Sequence, residues 1–180
     1  MSRAGNLTLV PVADRPDLVA EPVAKALSSW VGTDQVSVAE IDPGLADTAA
    51  LTAAAQLPLS MSANCVVVAG RRGGHERVAA CVVLATTRAD VNGLVRRLLD
   101  VRKASFLAMD LAVEWTGMEY GGITPLGLPA DWALYVDAAV VASPYVVIGS
   151  GLRRSKLALP GAALADLPNA EVVDGLGQLV

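Results

Sequence analysis

Imidazole and thiol groups, the side chains most often used for proton transfer and covalent catalysis near neutral pH, are scarce in this chain. Among 180 residues there is one histidine, His75, and there are two cysteines, Cys65 and Cys81. His75 lies in Gly-Arg-Arg-Gly-Gly-His-Glu, a segment that reads as an exposed loop. Imidazole chemistry is therefore not expected, and a Ser-His-Asp arrangement around Ser105 or Thr124 fails for want of the histidine. Neither cysteine has a neighbouring His or Lys to draw out a thiolate. Two Cys and one His are also too few for a structural zinc site. The stretch that stands out is Met118 to Leu128, Met-Glu-Tyr-Gly-Gly-Ile-Thr-Pro-Leu-Gly-Leu, which offers backbone groups. Gly121 and Gly122 can take positive φ and leave the main chain bare to a ligand. Pro125 forces Thr124 into an extended conformation. A stiff loop of this kind, with amides pointing outward, suits a carbonyl or phosphate oxygen. An ordinary connector between a helix and a strand has the same composition.

The elements that would position this loop follow from periodicity. Leu18, Val19, Val23, Ala26, Leu27 and Trp30 form a helical stripe, with Gly32 as a stop. Gln35 to Ile41 alternates as a short strand, and Asp42-Pro43-Gly44 is a turn. Ala46 to Leu57 is Ala-rich and helical, capped by Asp47 or Thr48 and ended by Pro58. Residues 64–69 and 77–86 are apolar β-runs on either side of the Gly-Gly loop, a hairpin apolar on both faces and so destined for the middle of a sheet. A turn centred on Gly73 would set Cys65 opposite Cys81, where a disulfide is conceivable, although a reducing cytosol favours packed thiols. Asp90 to Leu99 and Met109 to Thr116 read as helices, the second closed by Gly117. Residues 133–142, 145–149 and 157–159 read as strands, 160–167 as a helix and Val172-Val173 as a last strand. Without regular βαβ spacing, an α+β domain around a curved, mixed or largely antiparallel sheet fits best.

A hydrophobic content of 53% is enough to bury the core of one domain over residues 1–180. No window approaches a membrane span, and the N-terminus lacks a signal-peptide pattern, so a cytoplasmic protein is expected. The net charge of −4 argues against general coating of nucleic acid. Charge is nevertheless uneven: residues 71–103 carry eight Arg and Lys against three acids, and Arg153, Arg154 and Lys156 form a second cluster. Such patches fit docking of one nucleic acid through its phosphates, and equally fit solvated helix faces.

In the second half, the order of motifs resembles a known family. A short helix precedes Arg102-Lys103-Ala104-Ser105, followed by an acidic helix ending in Thr116-Gly117. Then come the loop Gly121-Gly122-Ile123-Thr124-Pro125 with Leu126-Gly127-Leu128, and a strand ending in Asp137. Gly149 to Gly151, the pair Arg153-Arg154 and Leu157-Ala158-Leu159-Pro160 complete the set. Over residues 64–174 this is similar to the YbaK/EbsC family, related to the editing domain inserted in bacterial prolyl-tRNA synthetases; residues 1–60 share only helices ahead of the hairpin.

The resemblance implies a barrel-like α+β fold with surrounding helices and a freestanding aminoacyl-tRNA deacylase. Its substrate would be the 3′ end of a mischarged tRNA, and contact with a synthetase would be transient. No cofactor, metal or covalent nucleophile is implied; the tRNA's own ribose hydroxyl helps to activate water. The amides of Gly121, Gly122, Ile123 and Thr124 would stabilise the oxyanion, a contribution of about 3 kcal/mol per donor. Pro125, Asp137, Gly149, Gly151, Arg153, Lys156 and Lys103 would contact the substrate. One departure stands out: the family lysine at the start of the first central strand is Asn64 here. An amide can hydrogen-bond an oxygen but brings no charge, so Lys156, Lys103 or Arg153 would have to supply it. The departure keeps open a non-catalytic member that binds aminoacyl-tRNA or a nucleotide-like ligand, and a pure interaction domain.

Overall fold

The computed structural model describes residues 2–179. Twelve strands and five α-helices are described, the strands falling into two five-stranded sheets and one two-stranded ribbon. The first sheet runs in the order β1 (Ser2–Ala4), β2 (Leu7–Pro11), β3 (Ser37–Glu40), β10 (Ser155–Leu159), β9 (Val146–Gly149), antiparallel throughout. The second runs β11 (Ala170–Val173), β8 (Ala133–Asp137), β5 (His75–Leu84), β4 (Ala63–Arg72), β7 (Ala104–Phe106), and only the two pairings of β8 are parallel. β6 (Thr87–Ala89) and β12 (Gly177–Leu179) form the ribbon. The expected curved sheet is thus divided in two. Among the described residues the halves pair through one parallel bridge, Ser62 with Val147.

Side-chain alternation along the strands sorts the core into layers. Leu157 and Leu159 of β10, Ile148 of β9, Val82 of β5 and Val136 of β8 face one another between the sheets, with α1 (Glu21–Ser29) adding Val23 and Leu27 one helical turn apart. Ala158 and Val147, one residue out of step, face the opposite side and pack against Leu51 of α2 (Thr48–Ala55). The far face of the second sheet buries Val68, Cys81 and Tyr135 under Val95 and Leu99.

The local signals act largely as expected. Asp47 caps α2 by accepting from the Ala49 and Ala50 amides at 2.9 and 3.2 Å. The 90–99 segment is a π-turn, Val91–Val95, running into the short α3 (Arg96–Leu98), capped by Asp90. α4 (Met109–Thr116) ends at Gly117, whose φ of +65° returns its amide to the Val113 carbonyl.

The structure refines the reading at three points. In the hairpin both Gly73 and Gly74 take positive φ, at +59° and +84°, so the turn centres between them. Cys81 then pairs with Val66 and Cys65 with Val82, the side chains fall on opposite faces, and both thiols are free. The strand expected over residues 133–142 stops at Asp137, which starts α5 (Ala138–Val141) by accepting from the Ala139 amide at 2.7 Å. Strands β1, β6, β7 and β12 span three residues each, too few for alternation to be read, and the five-residue β2, which ends in Pro11, was not expected either.

Candidate active site

Beside the bridge of Ser62 with Val147 lies a cavity of about 650 Å³. Its walls are Ala46 to Thr48 and Leu51 at α2, Ser62 to Val67 entering β4, Val147 to Gly149 of β9, and Tyr120, Gly121 and Ile123 of the glycine loop. Phe106, Leu107, Met109 and Ala112 close another side, and Arg153 and Lys156 supply cations.

Strand alternation decides where Lys156 points. On β10 it shares the face of Ala158, away from the apolar layer between the sheets and toward α2. The residue is 6% exposed, and its ammonium donates to the Ala46 carbonyl at 2.8 Å and the Gly121 carbonyl at 3.3 Å. Burial lowers its pKa to about 8; Asp47 pulls it back up and Arg153 pushes it further down. An ammonium has three donors, so one N–H remains for a ligand. Arg153 ties two walls together, donating to the Tyr120 and Pro43 carbonyls, each at 3.1 Å.

The glycine loop is fixed by backbone contacts. The Gly122 amide donates to the Glu119 carbonyl at 2.9 Å, and Gly121 stands at φ +83°, as a type II turn requires of its third residue. Next to this turn, Gly151 donates to the Gly122 carbonyl at 2.7 Å and accepts from the Glu119 amide at 2.9 Å. A Cβ on Gly149 would stand 2.3 Å from the Gly122 oxygen and 2.7 Å from that of Ile123, so strand and loop meet only because the residue is glycine. Among the described residues the Gly121 and Ile123 amides have no protein acceptor, and both residues line the cavity. The Gly122 amide is already engaged.

Opposite the loop, Asn64 accepts from the Thr48 hydroxyl at 2.6 Å. Ser62 also lines the cavity, and its hydroxyl is buried without a partner. Burial pushes the pKa of the Cys65 thiol well up, so it is protonated at neutral pH and no nucleophile. Among the described residues, no three His, Cys, Asp or Glu side chains come together as a metal site requires, and no helix is long and apolar enough to cross a membrane. His75 is exposed at the hairpin tip.

The structure brings together Asn64, Gly121, Ile123, Gly149, Arg153 and Lys156 in this one cavity. The other residues expected at the site lie elsewhere. Gly122 is packed against the Leu152 backbone. Thr124 is fully buried with its hydroxyl unpartnered, and Pro125 lines a second cavity of about 350 Å³ near Trp30 and Trp132. Asp137 caps α5 and accepts from the Gly177 amide, joining the C-terminal ribbon to the sheet. Gly151 packs on Ala20, Val23 and Met118. Lys103 is exposed just ahead of β7. Thr48, Ser62, Phe106 and Tyr120 were not legible as site residues; the only hint was that Phe106 is the one phenylalanine in the chain.

Comparison with curated protein sequences finds no match. Among solved structures, one of a proposed trans-editing enzyme for prolyl-tRNA synthetase superposes with a TM-score of 0.72 at 21% identity, covering 95% of this chain and 99% of that one. The hypothetical protein APE2540 gives 0.75 at 20% identity over 88% and 100% of the two chains. A structure from computational epitope backbone grafting onto scaffold proteins gives 0.74 at 22% over 88% and 97%. At these identities the likeness establishes the fold. The family follows from the sequence itself, because residues 42–167 match the model of the aminoacyl-tRNA editing domain. This span runs from the turn before α2 to the end of the segment after β10, and every wall of the larger cavity falls inside it. The chain belongs to the aminoacyl-tRNA editing domain family.

Proposed function

We propose that the protein is a freestanding deacylase that hydrolyses the ester joining a wrongly attached amino acid to the 3′ end of a tRNA. The observation that carries this reading is the buried Lys156 ammonium held against the glycine loop in a cavity large enough for an aminoacyl-adenosine. The amino acid enters between Leu51, Ala63 and Val147. The ester carbonyl faces the free Gly121 and Ile123 amides, which stabilise negative charge on its oxygen as it forms. Lys156 supplies the positive charge that Asn64 does not, toward a phosphate or the reacting oxygen. Water adds to the carbonyl carbon, the bond to the ribose oxygen breaks, and that oxygen takes up a proton. The products are a free amino acid and a tRNA with its terminus intact. The one carboxylate of the lining, Asp47, is engaged by the Ala49 and Ala50 amides, and Lys156 is assigned here as a cation, so the water is left to the ribose hydroxyl to activate.

Asn64 favours a second reading, in which the site retains aminoacyl-tRNA without cleaving it. Release of amino acid from a panel of mischarged tRNAs by the wild type and Asn64→Lys separates the two. Deacylation of one ester by the wild type supports the enzyme. Activity in Asn64→Lys alone supports the binding protein, and inactivity of both with no tRNA retained contradicts both.

A further inference from the structure

Two aromatic side chains at the mouth of the cavity have no part in the chemistry above. Phe106, at the end of β7, is 62% exposed, and Tyr120, ahead of Gly121 in the glycine loop, is 59% exposed. Both line the cavity and come from different walls. Met109, 51% exposed, adds apolar surface between the helical wall and the opening. Leaving so much aromatic surface in water is unfavourable, and neither ring is engaged in an aromatic pair among the described residues. Behind them the lining holds two cations, Arg153 and Lys156, against one carboxylate, Asp47, although the whole chain carries −4.

Exposed rings leading into a net-positive cavity match the chemistry of unpaired nucleotides. Each base offers a π-face whatever its identity, and each linkage a negative phosphate. From this geometry we infer that Phe106 and Tyr120 stack on the bases of the single-stranded 3′ end of tRNA as it enters, the terminal adenosine going inside and the preceding nucleotides lying across the mouth. The inference rests on the reading of the cavity given above and adds the means by which the RNA is gripped. Stacking makes the grip tolerant of base identity, and the cations hold the phosphates. The rings position the ester and take no part in breaking it.

The test uses a short single-stranded RNA ending in CCA and the same RNA with abasic sugars at the two positions ahead of the terminal adenosine, which keeps the phosphates and the adenine and removes the bases placed at the mouth. Binding is followed by fluorescence anisotropy at fixed salt with the full chain. The wild type is expected to bind the intact RNA at least ~10-fold more tightly than the abasic one. Phe106→Ala and Tyr120→Ala should lose that difference, while Phe106→Tyr and Tyr120→Phe keep it. With mischarged tRNA, the alanine variants should raise KM by ~10-fold with little change in kcat. Equal binding of intact and abasic RNA by the wild type, or alanine variants that bind and turn over like the wild type, would overturn the inference. Base-dependent binding without hydrolysis of any mischarged tRNA would overturn the deacylase reading and leave stacking in place; hydrolysis with unchanged KM in both alanine variants would do the reverse.

Discussion

Lys156 shows how surroundings reset the chemistry of one side chain. An exposed lysine keeps its charge to about pH 10.5, whereas here burial brings the pKa to about 8. Deacylation that depends on the ammonium should fall as pH rises through about 8, and a pH profile corrected for spontaneous ester hydrolysis checks this. The stability linkage runs the other way. Below about 8 the folded state bears the full penalty of a buried charge. Between about 8 and 10.5 the unfolded chain holds more protons, so unfolding free energy should rise with pH over that window. Asp137 makes the opposite case. Its carboxylate caps α5 and accepts from the Gly177 amide, outside the cavity. Asp137→Ala should cost about 1–3 kcal/mol in a urea titration and leave kcat/KM for deacylation unchanged. An acid ending a strand is legible in sequence, but the elements it ties together are not, which is why it was expected at the site.

Among the elements, those with local punctuation were legible and those defined by distant pairing were not. α4 has the expected bounds because Gly117 takes the left-handed conformation that stops it. The hairpin was legible but its register was not. Whether one or both of Gly73 and Gly74 take positive φ moves every pairing by one residue, and the period of two then moves Cys65 and Cys81 to opposite faces. A reducing agent should accordingly leave the thermal midpoint unchanged. The loop and β9 form a second unit, held at the distance glycine allows. Gly149→Ala places a methyl against the Gly122 and Ile123 carbonyls. It should destabilise the fold by about 1–3 kcal/mol and reduce deacylation far more than Asp137→Ala does, since the displaced loop carries the free amides. Parallel measurements of thermal unfolding and turnover on both variants check this.

At the scale of the molecule, two sheets, joined among the described residues by one bridge, flank the cavity. Closer pairing of β4 with β9 would fill the space that the cavity occupies. The broad fold class was legible from mixed helices and strands without βαβ spacing; the division into two sheets was not, because it depends on partners such as β3 and β10 that lie more than a hundred residues apart. For the same reason Lys156 was legible as a cation near the end of a motif but not as a buried group touching Ala46 and Gly121. The net charge of −4 confines tRNA attraction to local patches, so retention of tRNA should weaken steeply as salt is raised, with a slope set by a few phosphate contacts. The central claim is that this cavity, charged by Lys156, cleaves the aminoacyl ester. Its most direct test is single-turnover deacylation of a mischarged-tRNA panel by the wild type and Lys156→Met at neutral pH. The account predicts that the wild type clears at least one ester and that Lys156→Met, still folded, is slower by on the order of 100-fold. Equal rates in the two proteins, or no ester cleared by the wild type, would contradict it.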